Sequence, residues 1–279
     1  LRAYLDAGGN CIDTAAVYGD GDSERVIGGF LNTLAPRDQV LIATKAGISN
    51  KDGVRNVNTS RASLLTELDK SLSRLGVSEI DLWQVHTWDE NIPLDETLSA
   101  LDFAVSSGRV RYIGVSNYSG WQLARAATLQ NPLFGKTSII SIQSEYSLLN
   151  RKVEEEVIPA SIEMNVGFLA WSPLGRGVLT GKYRTGTPSD SRGASAHFAS
   201  FVAPYLEVRS KKIVEAVCVA SEGLGFSPLE VALSWVRDSY GVSSAIIGAR
   251  TAAQLRGALT VEEITLPDQV RAALDEISI

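Results

Sequence analysis

Short apolar runs rich in β-branched residues alternate along the chain with longer stretches whose apolar positions recur every three or four residues. The two periods separate strands from helices, because strand side chains alternate between faces while helical ones return after about 3.6 residues. Seven runs read as strands: Asn10–Asp13, Val40–Lys45, Ile80–His86, Tyr112–Val115, Ile139–Gln143, Gly167–Trp171 and Ala245–Ile247. Between them, Leu64, Leu65, Leu68, Leu72 and Leu75 share a helical face that ends at Gly76, a residue suited to the left-handed position after a helix. Leu94, Leu98, Leu101 and Val105 form a second such face before Gly108. Further helices are expected over Trp121–Leu129, Val153–Met164, Val208–Ser221 and Pro228–Val236.

Strands that alternate with helices imply a parallel sheet joined by right-handed crossovers. An open dinucleotide-binding sheet would carry Gly-x-Gly-x-x-Gly after its first strand. The nearest match, Gly19-Asp20-Gly21-Asp22-Ser23-Glu24, lacks the third glycine. The run from Gly177 to Tyr183 is too short for a phosphate-binding P-loop and has no Ser or Thr after Lys182. The expected fold is therefore α/β, a (β/α)8 TIM barrel, forming a single domain over residues 1–279. The chain opens at Leu1 inside a stretch that reads as a helix, so the first β-strand of that barrel is expected upstream of Leu1. Ser172–Tyr205 is the one long irregular stretch, rich in Gly, Ser and Pro, a kind of segment that is usually functional or disordered.

Composition narrows the class without naming it. A chain of 279 residues, 44% hydrophobic and 21% charged, is of the ordinary globular kind. Its net charge of -6 and the lack of a basic run argue against a nucleic-acid partner. No apolar run is long enough to insert across a bilayer. Cys11 and Cys218 have neither redox-motif nor metal-ligand spacing, which suits a reducing cytoplasm and a cytoplasmic location. Two histidines with no His-x-His pair argue against a metal-dependent barrel hydrolase, and no metal is expected. His197, in the irregular stretch, receives no role.

The carboxyl ends of parallel-barrel strands share one mouth. Here those ends carry Asp13, Lys45, His86, Ser116-Asn117, Gln143 and Trp171-Ser172. Taken singly, each reads as readily as a strand-end charge or cap, Asp13 and Lys45 as a salt bridge, and Trp171 as a packed core aromatic. Six of seven apolar strands ending this way is a pattern that single explanations do not cover.

These residues resemble an aldo-keto reductase. Asp13-Thr14-Ala15 followed by Tyr18, Ala43-Thr44-Lys45, and Gln84-Val85-His86 are similar to that family's Asp–Tyr–Lys–His tetrad. The likeness continues through Gly114-Val115-Ser116-Asn117, Gln143-Ser144-Glu145-Tyr146, Ala170-Trp171-Ser172-Pro173-Leu174 and Ile247-Gly248-Ala249-Arg250, and ends at Gln254-Leu255. The blocks occur in family order from residue 10 to 255.

The resemblance implies NAD(P)H-dependent reduction of small aldehydes or ketones, with catalytic residues Asp13, Tyr18, Lys45 and His86. Tyr18 would give the proton. A free phenol titrates near ~10, and a nearby ammonium favours the phenolate, which is the role implied for Lys45. Asp13 would hold Lys45, and His86 would orient the carbonyl oxygen. Ser116, Asn117 and Gln143 would bind the nicotinamide carboxamide, and Trp171 would stack on the ring. Ser172, Pro173, Leu174, Gly175 and Arg176 would lie along the cofactor, with Lys182 and Arg192 meeting phosphates. Gly248, Arg250 and Gln254 would surround the adenosine end. The family's acidic residue and asparagine after Gln254 are replaced by Gly257 and Ala258. Arg250 compensates in this reading, favouring NADPH over NADH. Trp88 and Tyr146 either wall an apolar substrate pocket or are structural. The same blocks are also similar to potassium-channel β-subunits, so a cofactor-binding regulatory subunit is the alternative function.

Overall fold

In the computed structural model, which describes residues 1–51, 53–195 and 198–279, each of the seven apolar runs forms a strand. Their ends lie within three residues of those expected. His197 lies outside the described residues. The chain forms two compact units, Leu1–Gln143 with Glu156–Gly167, and Ser144–Glu155 with Phe168–Ile279.

The first unit begins with α1 (Arg2–Asp6), β1 (Cys11–Asp13), α2 (Asp22–Leu34) and β2 (Leu41–Ala46). A hairpin follows, β3 (Ile48–Lys51) and β4 (Val54–Val57), then α3 (Arg61–Leu75), β5 (Ile80–Val85) and α4 (Leu94–Ser106). It continues through β6 (Val110–Ser116), α5 (Gly120–Leu129), β7 (Ile139–Glu145) and α6 (Val157–Glu163). Parallel pairing runs β1–β2–β5–β6–β7, with Asp13 opposite Ala43, Lys45 opposite Gln84, and Ser116 opposite Gln143. In-register pairing brings the strand-end side chains to one edge of the sheet.

Helix α3 shows how sequence sets these elements. Ser60 caps it by accepting from the Ser63 amide, and Gly76 ends it at φ 65°, which a side chain would strain. Leu64, Leu68 and Leu75 are at most 1% exposed, each contributing about 1.5–3 kcal/mol by burial.

The second unit pairs β8 (Gly167–Trp171) in parallel with β9 (Val242–Ile246), Trp171 opposite Ile246. Its helices are α7 (Ala199–Val202), α8 (Val208–Leu224), α9 (Pro228–Arg237), α10 (Ala252–Leu259) and α11 (Asp268–Ser278). Ser227 and Glu230 form a capping box at the start of α9, with Pro228 at the first helical position. Leu174 and Ile247 pack on a core of Leu233, Ala258 and Val261.

Several features differ from expectation, among them helices α10 and α11, which no spacing had marked. The β3–β4 hairpin is short and polar, so no period announced it. In α2 the pair Gly28-Gly29 interrupts a face that Ile27 and Leu31 bury. The expected helix Val153–Met164 splits into a single turn at Lys152–Glu154 and the shorter α6. Pro159 explains the split, because its ring fits the first turn of α6 but clashes with a helix continuing upstream. The irregular stretch after β8 is broken into short turns at Gly175–Thr180 and Arg192–Ala194 before α7. Among the described residues, no single helix is long and apolar enough to cross a membrane.

Two neighbouring glycines in α2 give opposite expectations. A Cβ on Gly28 would lie 2.5 Å from the Arg74 carbonyl oxygen, whereas one on Gly29 would meet nothing within 4 Å. Gly28→Ala should destabilise the protein by about 1–3 kcal/mol through overpacking. Gly29→Ala should stabilise it by roughly 0.5–1 kcal/mol through helix propensity. Chemical denaturation of the two variants checks the difference in sign.

Candidate active site

In the first unit, β1 ends on Asp13 and β2 carries Lys45 as its penultimate residue. Lys45 is fully buried, yet its ammonium is partnered: Nζ donates to Asp13 Oδ2 at 2.5 Å and to the Thr14 carbonyl at 2.8 Å. The second Asp13 oxygen accepts from Gln143 Nε2 at 2.9 Å. The chain after β1 is sewn to β2, with the Thr14 amide donating to the Ala43 carbonyl and the Ala16 amide to that of Lys45. This loop carries Tyr18, 43% exposed, its ring centroid 5.6 Å from Lys45 Nζ. The His86 ring meets Tyr18 edge-on, centroids 5.8 Å apart. Asp13, Tyr18, Lys45 and His86 therefore lie together, although 73 residues separate the first from the last.

His86 follows β5 directly and is buried. Its surroundings push its pKa down to about 3, first through burial and then through the positive charges of Lys45 and Arg55. The imidazole is thus neutral at neutral pH. Its Nδ1 is enclosed with no hydrogen-bond partner among the described residues. Next to it, Asn117 Nδ2 donates to the His86 carbonyl at 3.0 Å and to Ser116 Oγ at 2.9 Å. Asn117 has a left-handed backbone, φ 57°, and its amide donates to the Gln143 carbonyl. Ser116, Asn117 and Gln143 thus form one hydrogen-bonded group beside the tetrad, with amide and hydroxyl functions suited to a carboxamide. Trp88 stands half-buried, edge-on to Tyr118 at 5.1 Å and to Trp121 at 5.5 Å.

In the second unit, β8 delivers Trp171 and then Ser172, whose φ of 56° turns the chain sharply. Pro173 and Gly175 are buried, and Leu174 packs on the α9–α10 core. Arg176, expected along a cofactor, is already matched: its guanidinium grips both Glu145 oxygens at 2.7 and 2.9 Å. It also donates to the Phe201 carbonyl and covers the Phe201 ring. Lys182 and Arg192 are different. Both are exposed, and among the described residues neither has a carboxylate within 4.0 Å. A Cβ on Gly177 would lie 3.2 Å from Lys182 Nζ, and one on Gly248 4.0 Å from the Arg192 guanidinium. Unmatched cations beside bare backbone fit the phosphates of a dinucleotide. Arg250 is exposed; it donates to the Asp190 carbonyl, and its amide donates to the Gln254 side chain.

Tyr146 does not wall a pocket. It is 2% exposed, packs on Phe168 and Trp235, and donates its hydroxyl to Glu154 at 2.6 Å. Burial, with the Glu154 hydrogen bond, pushes its phenol well above the ordinary range. Sequence reading also missed Thr14, whose carbonyl serves Lys45, and Glu24, which is fully buried. An acid at the spacing Glu24, Ile27, Leu31 on the apolar face of α2 was the available signal for the second.

The sequence matches the family described as Aldo/keto reductase family over residues 1–279. It is 31% identical to "Aldo-keto reductase YhdN" of Bacillus subtilis (strain 168), over 99% of this chain and 82% of that protein. It is 34% identical to "L-glyceraldehyde 3-phosphate reductase" of Escherichia coli (strain K12), with 99% and 82% covered. A "Probable voltage-gated potassium channel subunit beta" of Oryza sativa subsp. japonica is 33% identical over 89% of this chain and 76% of its own length.

The depressed His86 pKa links the site to stability. The unfolded chain protonates this imidazole near ~6.5, the folded one only near about 3. As pH falls below ~6.5, protons bind the unfolded state preferentially, so stability present at neutral pH is progressively lost. Relative to His86→Gln, the protein should lose about 2 kcal/mol between pH 7 and pH 5. Denaturation at the two pH values measures it, and an equal change in both proteins would refute it. In NMR spectra, the histidine resonance absent from His86→Gln should not titrate above pH ~4.

Proposed function

The chain belongs to the aldo-keto reductase family, and from that premise we propose that it is an NADPH-dependent carbonyl reductase in which Tyr18 delivers the proton. The oxidoreductase class follows from the family and its reductase relatives. The finer assignment rests above all on one observation. A fully buried Lys45 ammonium, held by Asp13, lies 5.6 Å from the ring of Tyr18, which His86 meets edge-on.

Reduction of a carbonyl needs a hydride at carbon and a proton at oxygen. The reduced nicotinamide supplies the hydride when bound. The chain supplies the rest. Tyr18 donates its hydroxyl proton to the carbonyl oxygen, and the Lys45 charge stabilises the negative charge left on the phenol oxygen. Asp13 keeps that charge in place, since its second oxygen is fixed by Gln143. His86, neutral, donates from Nε2 to the same carbonyl oxygen and orients it, so the substrate oxygen receives two hydrogen bonds while the imidazole never competes as a cation. Ser116, Asn117 and Gln143 hold the carboxamide. In the second unit, Trp171 offers a ring for stacking, Ser172, Pro173, Leu174 and Gly175 offer backbone, and Lys182 and Arg192 take phosphate charge. Arg250 reads the 2′-phosphate, with Gly248 and Gln254 around the adenosine; its exposed guanidinium donates to the Asp190 carbonyl and meets the Asp190 carboxylate loosely, at 3.8 Å. Trp88 borders the substrate. The name of the 34% identical reductase makes a small aldehyde the first substrate to test. The 33% identical channel subunit supports the second reading, a regulatory cofactor binder, which would turn over very slowly.

Two measurements test this. Tyr18→Phe should reduce turnover by about a hundredfold or more, the usual worth of a positioned acid, with cofactor affinity little changed. Near-normal turnover on an aldehyde removes Tyr18 from the mechanism. Arg250→Ala should weaken NADPH by about ten- to a hundredfold while NADH changes little, because a charge-assisted pair is lost only for the phosphate. Titration by tryptophan fluorescence gives both affinities, and equal losses mean Arg250 does not read the 2′-phosphate.

A further inference from the structure

Tyr18 is half in solvent, and the loop that bears it has no stiffness of its own. Gly19, Asp20 and Gly21 all have left-handed backbones, at φ 58°, 51° and 92°, and two of the three are glycines free to adopt many others. A proton donor needs tighter control, because a misplacement of about 1 Å can cost a hundredfold in rate. The start of the loop is controlled by β2, through the Ala43 and Lys45 carbonyls. The control of its end is visible at the third residue of α2.

Glu24 is fully buried on the first turn of α2. Its Oε1 accepts from Thr44 Oγ1 at 2.6 Å and its Oε2 from Arg74 Nε at 2.6 Å. Arg74 is itself fixed on α3, donating to Glu67 at 2.6 Å and Ser71 at 3.2 Å. Thr44 is the residue before Lys45. Ser23, the residue before Glu24, shares a 2.7 Å hydrogen bond with Thr14, whose carbonyl holds Lys45. The Arg74 stem also closes on the loop, since a Cβ on Gly21 would lie 2.5 Å from its Cδ. Stability alone does not explain this arrangement. A buried ion pair is often no more stable than apolar side chains of the same volume, whereas it fixes one geometry.

We propose that the pair formed by buried Glu24 and partly buried Arg74 is a positioning device that locks the Thr14–Asp22 loop, and with it Tyr18, against the strand bearing Lys45. The catalytic part of this inference rests on Tyr18 being the proton donor. Glu24 and Arg74 touch neither substrate nor cofactor; they act through the loop.

The test is a double-mutant cycle on the full chain, with turnover, cofactor affinity and hydrogen exchange measured together. Glu24→Gln should lower kcat by about tenfold with cofactor affinity unchanged, and in the Tyr18→Phe background it should lower it by less than about twofold. Exchange of the amides of Ala16, Tyr18 and Ser23 should quicken by about tenfold or more, while strands β5 and β6 keep their protection. Thr44→Val, which removes only the hydroxyl bonded to Glu24, should show the same pattern more weakly, and it carries the test if Glu24→Gln does not fold. Equal proportional losses in both backgrounds mean a general structural role and overturn the proposal. So does unchanged exchange in the loop. Should Tyr18→Phe turn over normally, Tyr18 is not the donor and the catalytic half of the inference falls with it; loop exchange then decides whether the pair locks the loop.

Discussion

A lysine with no exposed surface can keep its charge only if the fold supplies partners for it. Lys45 has two, the Asp13 carboxylate and the Thr14 carbonyl, and both come from the end of the neighbouring strand and the residue after it. This ion pair constrains much around it. Asp13 must also be satisfied, and Gln143 does so from β7, two strands beyond β5. Thr14 and Ala16 must hand their amides to β2, which sets the direction of the loop carrying Tyr18. Loss of either partner would leave an unmatched charge in the interior, a change that typically costs about 3–5 kcal/mol.

The same charge shapes the electrostatics nearby. Burial and the Lys45 charge together keep His86 neutral, so only one of these two neighbouring side chains carries a positive charge. An imidazolium there would be a second cation, which would repel Lys45 and weaken its hold on Asp13. Around the second unit's loop the logic reverses. Arg176 is neutralised by Glu145 and ties down the chain, whereas Lys182 and Arg192 have no carboxylate within 4.0 Å among the described residues. Similar residues in one segment thus differ in whether a carboxylate lies within reach.

The strands were legible because apolar, β-branched runs must be buried whatever their neighbours. Helices α3, α4 and α9 were legible from their leucine and valine spacing and their caps. Helix α2 was not, since Gly28-Gly29 looks like a break until α3 is seen to pass close enough to require Gly28. Nor was the β3–β4 hairpin, whose polar residues are paired backbone to backbone and leave little trace in side-chain pattern. The truncation of α6 was readable after the fact from Pro159, whose ring forbids the upstream turn.

For the site, sequence determined the cast: Asp13, Lys45 and His86 had to sit at strand ends, because each closes an apolar run at the polar edge of a sheet. It also determined order and family, since short motifs persist along the chain without reference to distance. Only the tertiary structure decided which of those groups meet. It separated Tyr146, sealed in a core with Glu154, from Trp88, which keeps an open face, though both are aromatics following a strand end. It also revealed Glu24 as the far anchor of the Tyr18 loop. The reason is that a hydrogen bond is read in ångströms between side chains, and positions 24, 44 and 74 become neighbours only once α2, β2 and α3 have packed.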